Sequence, residues 1–189
     1  MTKINMAYFL DCTENEGPGK RSAIWVQGCH FDCPECCNLE LQAFQENNIV
    51  NINDIMDMLK KAVKAYEIEG VTLLGGEPML QAKGLSVLAH ACQKIGLSVM
   101  IFTGFTLDLL RKKPIQGSTE LLEYTDVLVD GLYMKNLPEN LRNWCGSTNQ
   151  RFHYLSARYD STIETDVRYS PTIEIAVSPD SLRVSGFPL

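Results

Sequence analysis

The feature that most constrains this sequence is a group of four cysteines within nine residues, Cys29, Cys33, Cys36 and Cys37. The first ten residues contain a single Lys and only a short apolar run, which is not the pattern of a signal peptide. We therefore expect a cytoplasmic protein, and disulfide frameworks are rare in that compartment. Cysteines this close together in a cytoplasmic chain indicate a metal site.

The other three of the seven cysteines, Cys12, Cys92 and Cys145, stand alone in the sequence. Free cysteine is among the most buried residue types and behaves as a small apolar side chain. We expect these three to be packing residues, so any metal chemistry depends on residues 29–37.

Length and composition limit the classes of protein that this chain can belong to. Its 189 residues predict a single domain, since domains average about 150 residues. Hydrophobic residues make up 45% of the chain, which is enough for a packed core. A net charge of −6 gives no electrostatic footprint for nucleic acid, and no run of 18 apolar residues could span a membrane. We predict one domain over 1–189 that binds neither nucleic acid nor membrane.

Strand and helix patterns alternate along most of the chain. Short apolar runs rich in β-formers predict strands at 22–27, 71–74, 97–102 and 127–129. Apolar residues at helical spacing predict helices at 52–66 and 85–95, with shorter pieces at 107–110 and 119–124. This alternation predicts βαβ units and an α/β fold with a parallel sheet, and the units are too few for a closed eight-fold barrel.

The C-terminal part of the chain has a different pattern. Residues 172–177 and 182–185 alternate between apolar and polar, and the turn-forming sequence Ser-Pro-Asp-Ser lies between them. This pattern predicts a β-hairpin, at about 170–186, that extends or covers the edge of the sheet.

The loop Cys29-x3-Cys33-x2-Cys36 follows directly on the first predicted strand. A [4Fe–4S] cluster is held by one thiolate on each iron that the protein anchors. Three ligands leave one iron open for a substrate, much as catalytic zinc keeps an open position. A C-x3-C-x3-C arrangement, with Cys37 in place of Cys36, is also compatible with the spacing.

Two other metal sites fit the sequence less well. Structural zinc usually requires a second Cys or His pair, whereas Cys92 and Cys145 are single and His30 lies inside the loop. A bacterial ferredoxin-type cluster would have a fourth cysteine followed by proline, which this chain lacks. The remaining alternative is a protein without enzymatic activity, in which the metal site serves a redox or a structural role.

Further segments resemble a known family. Gly75-Gly76-Glu77-Pro78 follows the second predicted strand, and in this order with the cysteine loop it resembles the radical-SAM superfamily. The chain is similar, more specifically, to the glycyl-radical activases that serve anaerobic ribonucleotide reductases. The segments that carry this similarity are 17–21 (GPGKR), 102–106 (FTGFT), 126–131 (DVLVDG) and 146–151 (GSTNQR). The resemblance thus covers about 17–151, and it favours Cys36 as the third ligand.

The resemblance implies a partial (β/α) barrel of parallel strands, with the cluster at their C-terminal ends and Cys29, Cys33 and Cys36 as its ligands. It also implies that S-adenosylmethionine binds the open iron through its amino and carboxylate groups. One-electron reduction then cleaves the sulfonium to methionine and a 5′-deoxyadenosyl radical, which takes a hydrogen atom from a glycine of a partner anaerobic ribonucleotide reductase. The implied electron donor is a flavodoxin or a ferredoxin.

The resemblance also assigns the GGEP segment to the methionine part of S-adenosylmethionine. Gly75 and Gly76 would allow close approach of the backbone, and Pro78 would fix the turn after Glu77. The same four residues are equally typical of a helix start after a strand, with Glu77 stabilised by the helix dipole.

Three more residues are candidates for cofactor binding by their position at strand ends. Thr103 and Gly104 follow the third predicted strand, and a plain turn there is the alternative. Asp130 ends the next strand, where α/β proteins often place functional groups, although aspartate also caps turns and helices. Glu35 is a departure from the pattern, because the residue before the third cysteine is often aromatic or glycine in related proteins.

A second candidate function is a radical-SAM enzyme that modifies a peptide or a small metabolite. Peptide-modifying members often carry additional cysteine clusters near the C-terminus. Cys92 and Cys145 alone cannot form one, so the sequence favours the activase.

Overall fold

The computed structural model describes residues 2–169, 173–178 and 181–185. Its strands and helices follow the order β1 (Lys3–Thr13), β2 (Arg21–Val26), β3 (Asn48–Asn51), α1 (Ile52–Tyr66), β4 (Gly70–Gly75), α2 (Ala82–Lys94), β5 (Ser98–Thr103), α3 (Leu107–Lys112), α4 (Ser118–Glu123), β6 (Val127–Asp130), β7 (Arg151–Tyr154), β8 (Glu174–Ser178) and β9 (Ser181–Ser185). Short 3-10 turns occur at Leu39–Leu41, Pro78–Gln81, Ser161–Glu164 and Val167–Tyr169.

Seven strands form one open, mixed sheet in the order β3-β1-β2-β4-β5-β6-β7. The four central strands, β2, β4, β5 and β6, are parallel, as the alternation of strands and helices predicts. The strands added at the two sides, β1, β3 and β7, are antiparallel to their neighbours. The prediction of an α/β fold whose parallel strands do not close into a barrel is confirmed, and the antiparallel strands at the two sides are an addition that was not predicted.

The two faces of the sheet have different coverings. All four α-helices pack on one face, where the main apolar core joins them to strand residues such as Ile24, Leu73 and Ile101. On the opposite face, Met100, Val127 and other strand residues pack against the later part of the chain. Because side chains alternate between the faces of a strand, every second residue of the central strands faces away from the helices.

The segment after β6 closes one end of the helix-free face. The Tyr159 hydroxyl lies 2.8 Å from Ser98 Oγ, at the N-terminal end of β5. Asn143 Nδ2 donates to the Ile163 carbonyl at 2.9 Å, which holds the segment against the loop before β7. The C-terminal ends of the same strands border a cavity instead. The fold therefore has a closed end and an open end on one face of the sheet.

Arg21 stabilises the closed end from inside. Its side chain is fully buried, and its guanidinium donates to Thr72 Oγ1 at 2.7 Å, to the Pro18 carbonyl at 2.6 Å and to the Val71 carbonyl at 3.1 Å. Gly17 lies so close that an added Cβ would meet Arg21 Cδ at 2.9 Å. The GPGKR segment is thus a loop wrapped around its own arginine, and this arginine joins β2 to β4.

The predicted C-terminal hairpin is present as β8 paired antiparallel with β9. Thr13 Oγ1 donates to Glu174 Oε2 at 2.5 Å, which links the hairpin to the end of β1. Residues 170–172, 179–180 and 186 of the predicted hairpin region lie outside the described residues. The division of the chain into a core of about 17–151 and a hairpin extension stays a prediction.

Within the described residues, Cys92 and Cys145 are buried as expected, and Cys12 is partly buried. The same part of the chain contains no helix that is both long enough and apolar enough to cross a membrane.

We predict that Arg21→Lys lowers the free energy of unfolding by roughly 2–4 kcal/mol, because one ammonium group cannot reach all the acceptors of a guanidinium. Urea unfolding of the cluster-free protein measures this change. Lys20→Ala is the matched control, since the neighbouring Lys20 is exposed, and we expect a change within about 0.5 kcal/mol. An equal effect of both substitutions would contradict the role assigned to Arg21.

Candidate functional site

A cavity of about 210 Å³ lies at the C-terminal ends of the parallel strands, on the face without helices. The ends of β2, β4, β5 and β6 form its floor, and Trp25, Leu74 and Phe102 are the strand residues that line it. The loop after β2 and the long loop between β6 and β7 form its walls. Ligands of open α/β sheets bind at this end of the strands.

All four clustered cysteines, Cys29, Cys33, Cys36 and Cys37, line this cavity. The Cys36 amide donates to the Cys33 carbonyl at 3.2 Å, so a tight turn brings these two residues together. The Cys29 amide donates to the Gln42 carbonyl at 3.1 Å, which anchors the start of the loop. The loop is therefore folded back on itself, with its cysteines on the cavity side.

The residues present fit a [4Fe–4S] cluster. Thiols are the donors that such a cluster requires, and the Asn38 amide already donates to Cys36 Sγ at 3.4 Å. Within 2–169, 173–178 and 181–185, no three Cys, His, Asp or Glu side chains are grouped as ligands of a single metal ion. A cubane cluster has no need of such a grouping, because each thiolate binds a different iron.

Burial controls the charge of these thiols in the cluster-free chain. It raises the pKa of Cys29 to about 11, and it also raises the pKa values of Cys33 and Cys37. These thiols are therefore protonated near neutral pH, and binding of a metal must release their protons.

Glu77 is a buried carboxylate that connects two strand ends. Its Oε1 accepts from Thr103 Oγ1 at 2.7 Å and from the Met79 amide at 2.8 Å, and its Oε2 accepts from the Gly104 amide at 2.9 Å. Its side chain caps the 3-10 turn that leads into α2. Despite these hydrogen bonds, burial raises the pKa of Glu77 to about 7. Glu77 thus caps a helical turn and also lines the cavity, and contact of the GGEP segment with S-adenosylmethionine stays a prediction.

The two glycines of the GGEP segment allow a close approach of neighbouring backbone. Gly75 has a φ of +110°, and a Cβ there would meet the Val26 amide nitrogen at 2.6 Å. A Cβ on Gly76 would meet the Gly28 carbonyl oxygen at 2.4 Å. Gly75 therefore packs against the end of β2 and Gly76 against the start of the cysteine loop, so a substitution of Gly76 would displace that loop.

The other predicted site residues divide into two groups. Thr103 and Gly104 line the cavity together with Gly75, Gly76 and Glu77. Pro78 and Asp130 are absent from the lining, and both are buried.

Asp130 serves the architecture around the cavity. Its Oδ2 accepts from the Leu107 amide at 2.6 Å, at the start of α3, and lies 2.9 Å from His153 Nε2. These contacts match the capping alternative, and cofactor binding by Asp130 stays a prediction.

Two residues at the cavity, Trp144 and Gln150, lie outside the set that the sequence assigned to the cofactor. Trp144 lines it in a left-handed conformation, with φ +59°, within a stretch that is polar in sequence. Gln150 Oε1 accepts from the Gly146 and Ser147 amides at 2.9 and 3.2 Å, which shapes the wall around that tryptophan. The tertiary fold brings these residues to the cysteine loop, and the GSTNQR segment was the only sequence signal for them.

Glu35 also has a left-handed backbone, with φ +56°. This conformation favours glycine, so a glutamate here carries a backbone cost that glycine would avoid. Its carboxylate forms an ion pair with Lys135 of the opposite wall, so the side chain is turned to the loop between β6 and β7.

The chain is similar to several known proteins. A family model described as a 4Fe-4S single cluster domain matches residues 15–153. The anaerobic ribonucleoside-triphosphate reductase-activating protein of Enterobacteria phage T4 is 31% identical over 155 residues, which cover 78% of this chain and 92% of that protein. The protein of the same name from Escherichia coli (strain K12) is 31% identical over 153 residues, with 74% and 91% covered. The crystal structure of QueE from Escherichia coli has a TM-score of 0.47 and 14% identity, with 71% of this chain and 73% of that chain covered.

We predict that Glu77 makes the protein less stable as the pH rises. Its pKa is about 7 in the folded chain, against 4.5 for an unperturbed glutamate, so the folded form keeps a proton that the unfolded form loses between these values. Stability from this group is therefore present at low pH and falls by about 2 kcal/mol between about pH 5.5 and 8.5. Glu77→Gln removes this dependence, and urea unfolding of both proteins across that range measures the difference. Parallel pH curves for the two proteins would contradict the prediction.

Proposed function

We propose that this chain, which belongs to the family of anaerobic ribonucleoside-triphosphate reductase-activating proteins and contains their 4Fe-4S single cluster domain, installs a glycyl radical on such a reductase. It is a radical-SAM enzyme of the glycyl-radical-activating type, and its cofactors are a [4Fe–4S] cluster and S-adenosylmethionine. When bound, the cluster supplies the electron that cleaves S-adenosylmethionine to the hydrogen-abstracting radical.

One observation carries this proposal. The cysteine loop and the GGEP segment are far apart in sequence, yet they line the same cavity at the ends of the parallel strands. The Glu77 amide donates to the Gly28 carbonyl at 2.9 Å, so the two segments are in direct contact next to Cys29. Thiols for a cluster and a glycine backbone for a small ligand are thus side by side.

The residues of the cavity have distinct proposed roles. Cys29, Cys33 and Cys36 hold the cluster and leave one iron open. Gly75 and Gly76 present backbone to the methionine part of the ligand, because neither has a side chain in the way. Glu77 orients the adjoining turn, and it keeps Thr103 and Gly104 in the cavity wall through its hydrogen bonds.

Apolar side chains around the cavity support a protein as the substrate. Phe44 and Leu39 follow the cysteine loop and are 72% and 63% exposed. Leu132, Met134 and Leu137 belong to the opposite wall and are 38–40% exposed. The ion pair between Glu35 and Lys135 connects these two walls. Exposed apolar surface of this kind is typical of protein–protein contact sites, so we assign it to docking of the reductase.

The electron donor is a further part of the proposal. A small flavin or iron–sulfur carrier, flavodoxin or ferredoxin, would deliver one electron at a time in the cytoplasm.

The proposal is tested by incubating the reduced, cluster-loaded protein with S-adenosylmethionine and the reductase encoded with it. We expect a glycyl doublet in the EPR spectrum, and no doublet when S-adenosylmethionine is omitted. Formation of 5′-deoxyadenosine without a glycyl doublet would remove the reductase as the substrate and leave the cleavage chemistry intact.

We further predict that Cys29→Ala, Cys33→Ala and Cys36→Ala each abolish retention of the cluster, because a remaining pair of thiolates anchors only two irons. Iron and sulfide content after anaerobic reconstitution measures this loss. Cys12→Ala is the control, since Cys12 lies outside the cavity lining, and it is expected to keep the wild-type content. Full retention in any of the three variants would show that its cysteine is not a ligand.

A further inference from the structure

We propose that Cys37 is an exchangeable fourth ligand, which occupies the open iron until S-adenosylmethionine displaces it. This inference rests on the proposed function. It assigns to the chain a resting form of the site in which four thiols hold the cluster, and an active form in which three do.

The position of Cys37 distinguishes it from the cysteines that serve packing. Cys92 belongs to the main apolar core and Cys145 to the core on the other face of the sheet. Cys37 belongs to neither core and lines the cavity with Cys29, Cys33 and Cys36. The residue is exposed, and it contributes to the wall of the cavity. A fourth thiol in a cavity that already holds three is a donor without a packing role.

The chemistry of the lining favours Cys37 over other donors for the open iron. The residues that line the cavity include no Lys, Arg or His. Two carboxylates, those of Glu16 and Glu77, line it too, and that of Glu77 accepts three hydrogen bonds from Met79, Thr103 and Gly104. Carboxylate oxygens are harder donors than thiolate sulfur. Thiolate is also the softest donor present, and iron–sulfur clusters are bound preferentially by soft ligands.

Hydrogen bonds distinguish Cys36 from Cys37. The Cys36 amide donates to the Cys33 carbonyl, and the Cys36 sulfur accepts from the Asn38 amide. No backbone hydrogen bond of this kind fixes Cys37 among the turn and loop contacts of the described residues. Cys36 is therefore suited to permanent ligation and Cys37 to a bond that opens.

The exchange is a ligand substitution without oxidation or reduction. As the resting form assembles, the Cys37 thiol gives its proton to solvent, and its sulfur forms a bond to the open iron. When the amino nitrogen and a carboxylate oxygen of S-adenosylmethionine bind that iron, the bond to Cys37 breaks and the thiolate takes a proton from solvent. The total number of electrons in the site is unchanged.

Two measurable effects follow. Cys37 retains the fourth iron when S-adenosylmethionine is absent, so mild oxidation should convert the wild-type cluster only slowly to a three-iron form. Cys37 also competes with S-adenosylmethionine. If its sulfur occupies the iron for about nine-tenths of the time, the apparent affinity for S-adenosylmethionine is lowered about tenfold.

The test compares wild type, Cys37→Ala and the control Cys12→Ala after anaerobic reconstitution. EPR follows formation of the three-iron cluster after one equivalent of ferricyanide, and equilibrium dialysis gives the Kd for S-adenosylmethionine. We expect Cys37→Ala to form the three-iron cluster several times faster than wild type and to bind S-adenosylmethionine roughly tenfold more tightly. Cys12→Ala should match wild type in both measurements.

Equal conversion rates and equal Kd values for Cys37→Ala and wild type would overturn the inference. Loss of the cluster in Cys37→Ala, with retention in Cys36→Ala, would also overturn it, because Cys37 would then be the permanent third ligand. The proposed function fails on a different measurement. If the wild-type protein gives no glycyl doublet while the exchange behaves as expected, the reductase is not the substrate and the assignment of Cys37 stands.

Discussion

The site depends on the buried carboxylate of Glu77. Its hydrogen bonds to Thr103 and Gly104 join the end of β4 to the end of β5, and its own amide bonds to Gly28 at the end of β2. One residue thereby fixes the spacing of three parallel strands where they meet the cysteine loop. Without it, the amides of Gly104 and Met79 would lose their acceptor, and an unsatisfied buried donor costs about 1–3 kcal/mol. The position of the cysteine loop relative to the GGEP segment would then be lost as well.

The hydrogen bonds of Glu77 lie next to the cavity, at the C-terminal ends of the parallel strands. The cavity exists because the two faces of the sheet are covered by different parts of the chain. The helices fill one face with a large apolar core, while the smaller core on the other face leaves a cavity at the C-terminal ends of the central strands. Arg21 and Tyr159 close that end, and the cavity takes the opposite end. The cavity therefore lies where neither the helices nor the segment after β6 covers the end of the sheet.

Local patterns predicted the regular parts of this architecture well. The helix at Ile52–Tyr66 matches the predicted range, because its buried residues repeat at helical spacing. The central strands match within one or two residues, since each is a short apolar run bounded by glycine or a polar turn. The strands at the two sides were missed. β3 and β7 have four residues each, too few to show a period of two, and β1 was considered only as a possible signal peptide.

The sequence by itself determined the chemistry of this protein: the spacing of the cysteines and the GGEP segment identified the thiols, the glycines and the kind of cluster. Only the tertiary structure decided which residues share the cavity. It brought Trp144 and Gln150 to the site and left Asp130 as a cap outside the lining. The physical reason is that ligand type is a property of single residues, whereas a cavity wall forms from segments that meet through strand register and buried hydrogen bonds. These long-range contacts leave no periodic signal in the chain.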